Sequence, residues 1–256
     1  MPSSPAAAGP LLILVAMPEE AAPLVARLEA PTPVQTPFTG GVEAVRGTLA
    51  GSPALVVTTG IGIAAASAAA TWAILDAAPS LVVAAGSCGG LAADVEVGSL
   101  IVGESFTYSI ADATAFGYAP GQVPGGPERF TAPQEWVDAA EEAARRATGP
   151  AGSSAPSDPA AEGSRVRRGL MLAGDAFVTA EIAAPMRERF PHALSADMET
   201  TASARTAEAL GVPFVALRAV SDLCGPAAGQ QFHLELDVAA EISARAVKEL
   251  AGALEG

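Results

Sequence analysis

Five short apolar runs in this chain end in residues able to do chemistry. The first leads into Met17-Pro18-Glu19-Glu20, another into Gly86-Ser87-Cys88-Gly89-Gly90, and another into Gly174-Asp175-Ala176-Phe177. Ser195-Ala196-Asp197-Met198-Glu199 and Arg218-Ala219-Val220-Ser221-Asp222 complete the set. Carboxylates are the groups with which a protein moves protons or steadies positive charge. Taken singly, each has a structural explanation. Glu19 and Glu20 would complement the dipole in a first helical turn; Asp197, Glu199 and Asp222 could cap helices or turns; Gly86 to Gly90 reads as a strand-to-helix turn. Taken together they are harder to explain so, because the carboxyl ends of strands in an open parallel sheet converge on one crevice where ligands bind. Gly60-Ile61-Gly62-Ile63-Ala64-Ala65 also follows a strand and opens a helix, loosely like a dinucleotide fingerprint. Ala65 stands at its third glycine, and the next strand ends in Gly86-Ser87 without an acid, so a nicotinamide cofactor is not expected.

The elements that must position these residues follow from the spacing of apolar runs. Strands are expected at 11–17, 54–59, 81–85, 99–106, 169–173, 194–196 and 214–220, and helices at 19–28, 64–77, 133–147, 181–190, 200–210 and 234–254. Strands apolar on both faces and separated by Ala-rich helices predict an α/β fold. Its twisted, mainly parallel mixed sheet would be covered by helices on both sides. Residues 41–49 alternate in polarity and read as an edge hairpin strand. One domain is expected over 11–256, with a flexible start at 1–10 and a flexible surface excursion at 149–164, where Pro, Gly, Ser and Ala leave little to pack.

Composition narrows the function. The chain has 256 residues, half of them apolar, enough for one large core. Its 28 acidic residues against 14 basic ones give a formal net charge of −14, which repels duplex nucleic acid and anionic membranes and leaves a small molecule as the expected partner. The two cysteines, Cys88 and Cys224, form no CxxC pair; they fit reduced thiols in a cytoplasmic protein, and no metal site is expected. The apolar run at 11–17 is too short to span a membrane and lacks the basic flank of a signal peptide.

In their order along the chain these motifs resemble the nucleoside phosphorylase/nucleosidase superfamily, and within it the methylthioadenosine/S-adenosylhomocysteine nucleosidases. The stretches that carry the resemblance are Ala16-Met17-Pro18-Glu19-Glu20, Thr59-Gly60-Ile61-Gly62, Gly86-Ser87-Cys88-Gly89-Gly90-Leu91 and Asp112-Ala113-Thr114-Ala115-Phe116-Gly117-Tyr118 with Gly121-Gln122-Val123-Pro124. Gly174-Asp175-Ala176-Phe177, Asp197-Met198-Glu199 and Arg218-Ala219-Val220-Ser221-Asp222 follow. The resemblance implies a cytoplasmic homodimeric hydrolase of methionine salvage. It would cleave the N-glycosidic bond of a 5′-modified adenine nucleoside, release adenine, and use no cofactor or metal. It implies Asp222 as the acid that protonates purine N7, aided by Ser221 and Ser87, and Glu20 as activator of the attacking water, with Arg218 helping to hold it. Glu199 would hold the ribose hydroxyls with Met198 against the sugar, Phe177 would stack on adenine, and Val178 would bond to it through its backbone. Ile61 and Asp197 join the substrate-binding set, and Phe116, Tyr118 and Pro124 would reach across a dimer interface to cover the neighbour's 5′ group.

Those residue types suit the reaction. Adenine leaves poorly as an anion, so N7 must gain a proton from an acid whose pKa is raised. The positive charge left on the ribose calls for a nearby carboxylate, and two carboxyl groups with separated pKa values let one be the acid while the other activates water. Related phosphorylases carry arginine at the position of Ala84 to hold phosphate; no basic residue lies between 81 and 86 here, which points to water as nucleophile. Two departures touch the 5′ pocket: the link at 223–229 is longer than the family's, and Leu236 stands where an aromatic is common. A futalosine or aminodeoxyfutalosine hydrolase of menaquinone synthesis is therefore the alternative, sharing Glu20, Glu199 and Asp222 and differing in that pocket. A purine nucleoside phosphorylase is disfavoured by Ala84, and a non-catalytic nucleoside-binding protein by the retention of all three carboxylates.

Overall fold

A computed structural model describes residues 9–149 and 165–254; the expectations for 1–8 and 150–164 lie outside the described residues. In β1 (Leu11–Val15) every residue is buried, with Leu11, Ile13 and Val15 in one core and Leu12 and Leu14 in another. β5 (Leu81–Gly90) and β10 (Phe214–Asp222) alternate in the same way. This is why the sequence shows continuous apolar runs in place of a polar alternation: both faces of the sheet are covered. Helices α1 (Pro18–Val25), α3 (Gln134–Thr148) and α6 (Ala228–Ala253) bury apolar residues in the first core. Helices α2 (Ile63–Ala77) and α5 (Thr200–Ala209) do so in the second. α4 (Ala180–Arg189) seals a smaller cluster with Leu170, Leu172 and Ala193. Among the described residues no helix is long and apolar enough to cross a membrane.

The sheet is mixed. β1 pairs in parallel with β4 (Ser52–Thr58) and β5, β5 with β10, β6 (Leu100–Tyr108) with β8 (Val166–Ala173), and β8 with β9 (Ala193–Asp197). β10 runs antiparallel to β6, and the end of β5 runs antiparallel to β9 through Gly89 with Ala196 and Gly90 with Ser195. Strands β5, β10, β6, β8 and β9 therefore close into a ring, and the carboxyl ends of β5, β9 and β10 face one space. The two-residue β7 (Phe130–Thr131) pairs with β6.

Three sequence expectations change. Gly86 to Gly90 is no strand-to-helix turn but the second half of β5, which runs on beside β10 past the end of β1 and then pairs with β9. The alternating segment 41–49 contains β3 (Glu43–Leu49), which lies inside the sheet between β4 and the edge strand β2 (Glu29–Val34). β2 holds Pro31 and Pro33, which argue against a strand in sequence yet are tolerated at an edge. α6 begins at Ala228, ahead of the expected 234.

Candidate active site

Glu20 sits in the first turn of α1, where the carboxylate of a third helical residue can reach back to the preceding backbone. It is 1% exposed. Its Oε2 accepts from the N–H groups of Ala16 at 2.8 Å and Met17 at 3.2 Å. Its Oε1 accepts from the N–H of Ser87 at 2.7 Å and the Ser87 hydroxyl at 2.8 Å. Four donors thus fix one carboxylate. The space it fills exists because residue 86 is glycine: φ there is +111°, and a Cβ would lie 2.5 Å from Glu20 Cδ.

The turn from β9 into α5 supplies the next acids. Asp197 Oδ1 accepts from the N–H groups of Glu199 at 2.8 Å and Thr200 at 2.7 Å, capping α5. Glu199 Oε1 accepts from the N–H of Gly62 at 3.0 Å, and its Oε2 lies 3.4 Å from Arg218 Nη2. Burial pushes the Glu199 carboxyl up to about 7, against the pull of the Arg218 guanidinium and with the repulsion of Asp197. Arg218 comes from the middle of β10, is buried, and donates from Nη1 to the Ser87 carbonyl at 2.8 Å.

At the end of β10, Asp222 is 3% exposed. Burial raises its carboxyl above the ordinary range, although the Cys224 N–H at 2.9 Å and the Ser221 hydroxyl at 3.1 Å, both donating to it, pull the other way. Cys224 and Cys88 are buried free thiols, both made harder to ionise by burial, Cys224 to about 12.

These groups enclose one cavity of about 370 Å³. Glu20, Ile61, Ser87, Phe177, Val178, Asp197, Met198, Glu199, Arg218, Ser221 and Asp222 all line it. Phe116, Tyr118 and Pro124 do not; Phe116, at the end of a 3-10 turn, is 83% exposed. Sequence reasoning missed Phe232 of α6, which lines the cavity with its ring 5.7 Å from that of Phe177 at 74°. It also missed Cys224, beside Asp222. Phe232 lies in a helix where an aromatic reads equally well as packing, so nothing in the sequence singles it out.

A ringed α/β sheet with carboxylates gathered at its strand ends defines a class: residues 10–254 match the phosphorylase superfamily, and the chain belongs to it. The 5′-methylthioadenosine/S-adenosylhomocysteine nucleosidase of Neisseria meningitidis, solved with methylthio-immucillin-A, is similar at 34% identity and a TM-score of 0.85, over 96% of this chain and 99% of that one. The enzyme of the same description from Colwellia psychrerythraea, solved with adenine, is similar at 30% identity and a TM-score of 0.84, over 96% of this chain and 95% of that one. S-adenosylhomocysteine nucleosidase from Streptococcus pyogenes shares the fold, with a TM-score of 0.86 at 23% identity over 98% and 99% of the two chains.

Proposed function

We propose that this protein hydrolyses the N-glycosidic bond of 5′-modified adenine nucleosides of the methylthioadenosine/S-adenosylhomocysteine type, releasing adenine. The observation that carries the reading is the convergence of Glu20, Glu199 and Asp222 on one cavity with Phe177 at its wall. Asp222, whose carboxyl burial makes harder to ionise, donates its proton to N7 as the C–N bond breaks. Ser221 and Ser87 assist the base, Phe177 stacks on it, and Val178 meets it through its backbone. Glu199 accepts from the ribose hydroxyls and steadies the charge that develops on the sugar, with Met198 and Ile61 against its apolar face. Glu20 takes the proton of the attacking water, with Arg218 beside it.

Water is favoured over phosphate on electrostatic grounds. Arg218 is the one basic residue lining the cavity among the described residues, and its Nη1 is already engaged by the Ser87 carbonyl. A phosphate dianion would face Glu20, Asp197 and Glu199 with little compensation, and Ala84 is buried in β5 where no side chain could supply it.

The assembly we propose is a homodimer in the cytoplasm, serving methionine salvage. Buried free thiols suit a reducing compartment. Ile110 and Phe116, 56% and 83% exposed on one loop, suit coverage by a second copy, and Phe116, Tyr118 and Pro124 would then complete the partner's 5′ pocket. The test is adenine release from 5′-methylthioadenosine, S-adenosylhomocysteine and unsubstituted adenosine, with sedimentation alongside. The 5′-thio substrates should be cleaved best by a dimer, and Tyr118→Ala should weaken their binding much more than that of adenine. Cleavage of adenosine alone, or a fully active monomer, would overturn this reading.

A further inference from the structure

Asp197 lines the cavity, but its hydrogen bonds go to the backbone. Oδ1 is spent on the backbone N–H groups of Glu199 and Thr200. Oδ2 is buried without a hydrogen-bond partner, and so is Arg218 Nε. The two atoms face each other at 3.7 Å, beyond a direct hydrogen bond but well within an ion pair, with side chains 3% and 2% exposed. The same guanidinium donates from Nη2 to Glu199 Oε2 at 3.4 Å, and Glu20 lies within its field. Two carboxylates from one turn thus compete for one buried cation.

We infer that Asp197 is a positioning residue: it shares the charge of Arg218 from the Nε side and holds Glu199 through its backbone, so that the bond between Arg218 and Glu199 stays long and Glu199 can still receive the sugar. Without the Asp197 charge, the guanidinium would be drawn closer to Glu199, the remaining buried carboxylate of that turn. Its attraction would then hold Glu199 ionised and occupied. The direction agrees with the environment of Glu199, where burial and Asp197 raise the pKa, Arg218 lowers it, the Gly62 N–H lowers it, and Glu20 raises it.

The role of Glu199 at the sugar rests on the proposed function; the effect of Asp197 on Glu199 does not. The test is the pH titration of the Glu199 carboxyl carbon by NMR in the free full-length protein, assigned with Glu199→Gln. Asp197→Asn keeps Oδ1 as a cap and removes the charge. It should move the Glu199 midpoint to lower pH and raise KM about tenfold while kcat changes less than threefold. Asp197→Glu, which restores the charge, should return the midpoint towards that of the parent. If Asp197→Asn does not fold, Asp197→Ser keeps a capping oxygen without charge and takes its place. A Glu199 midpoint unmoved by loss of the charge, or moved equally by Asn and Glu, would overturn the inference. A shifted midpoint with unchanged KM would uphold it and instead remove Glu199 from the sugar site.

Discussion

Asp222 and Glu20 are buried carboxyl groups held in different hydrogen-bond settings within one cavity. Glu20 receives four hydrogen bonds from N–H and O–H donors. Asp222 interacts with the Cys224 N–H, the Ser221 hydroxyl and the Cys224 thiol, yet burial raises its pKa. In the proposed reaction, environment and not residue type sets the acid apart from the base. Asp222→Asn preserves shape and hydrogen bonding but has no proton to give, so turnover should fall about 100-fold or more with the thermal midpoint near that of the parent. With Asp222 as the proposed acid, its protonated form is the active one, so the parent's rate should decline as pH rises through the raised pKa, and the Asn protein should lack that limb. A variant within threefold of the parent would remove Asp222 from the mechanism. At this scale the sequence was informative: polar residues that interrupt apolar runs at strand ends have few structural duties in common, and the resemblance gave each a role. Phe232 escaped because an aromatic in a helix looks like packing, and Cys224 because its relation to Asp222 depends on a turn whose φ is +51°.

The elements matter through the way they end. β5 is long enough to pair with β1 and β10 and then with β9, and Gly86 marks the place where the strand passes beneath the Glu20 carboxylate. Gly86→Ala would place a methyl group against that carboxylate and force alanine to φ +111°. The strain should lower stability by about 1 kcal/mol or more, and displacement of Glu20 should cut kcat by roughly 100-fold. Denaturant unfolding together with steady-state rates measures both, and an Ala variant of parental rate would show that Glu20 need not stay where Gly86 lets it lie. Sequence periodicity located the buried strands and the six α-helices of the described residues, because both faces of the sheet are covered and each helix has an apolar side. It failed where backbone freedom outweighs pattern: glycines made half of β5 look like a turn, and Pro31 and Pro33 hid an edge strand.

At the scale of the whole molecule, closure of β5, β10, β6, β8 and β9 into a ring brings residues far apart in sequence to one cavity. Neither the ring nor the antiparallel join of β5 to β9 has a local signature, so a mainly parallel sheet was as far as sequence spacing could reach. The net charge of −14 and the acids around the cavity set the electrostatic character of the molecule against anionic co-substrates. That bears on the central claim, that water and not phosphate receives the sugar. The direct measurement is the identity of the sugar released from 5′-methylthioadenosine in saturating inorganic phosphate. The account predicts free 5-methylthioribose at a rate that phosphate does not increase; 5-methylthioribose 1-phosphate as the main product would contradict it.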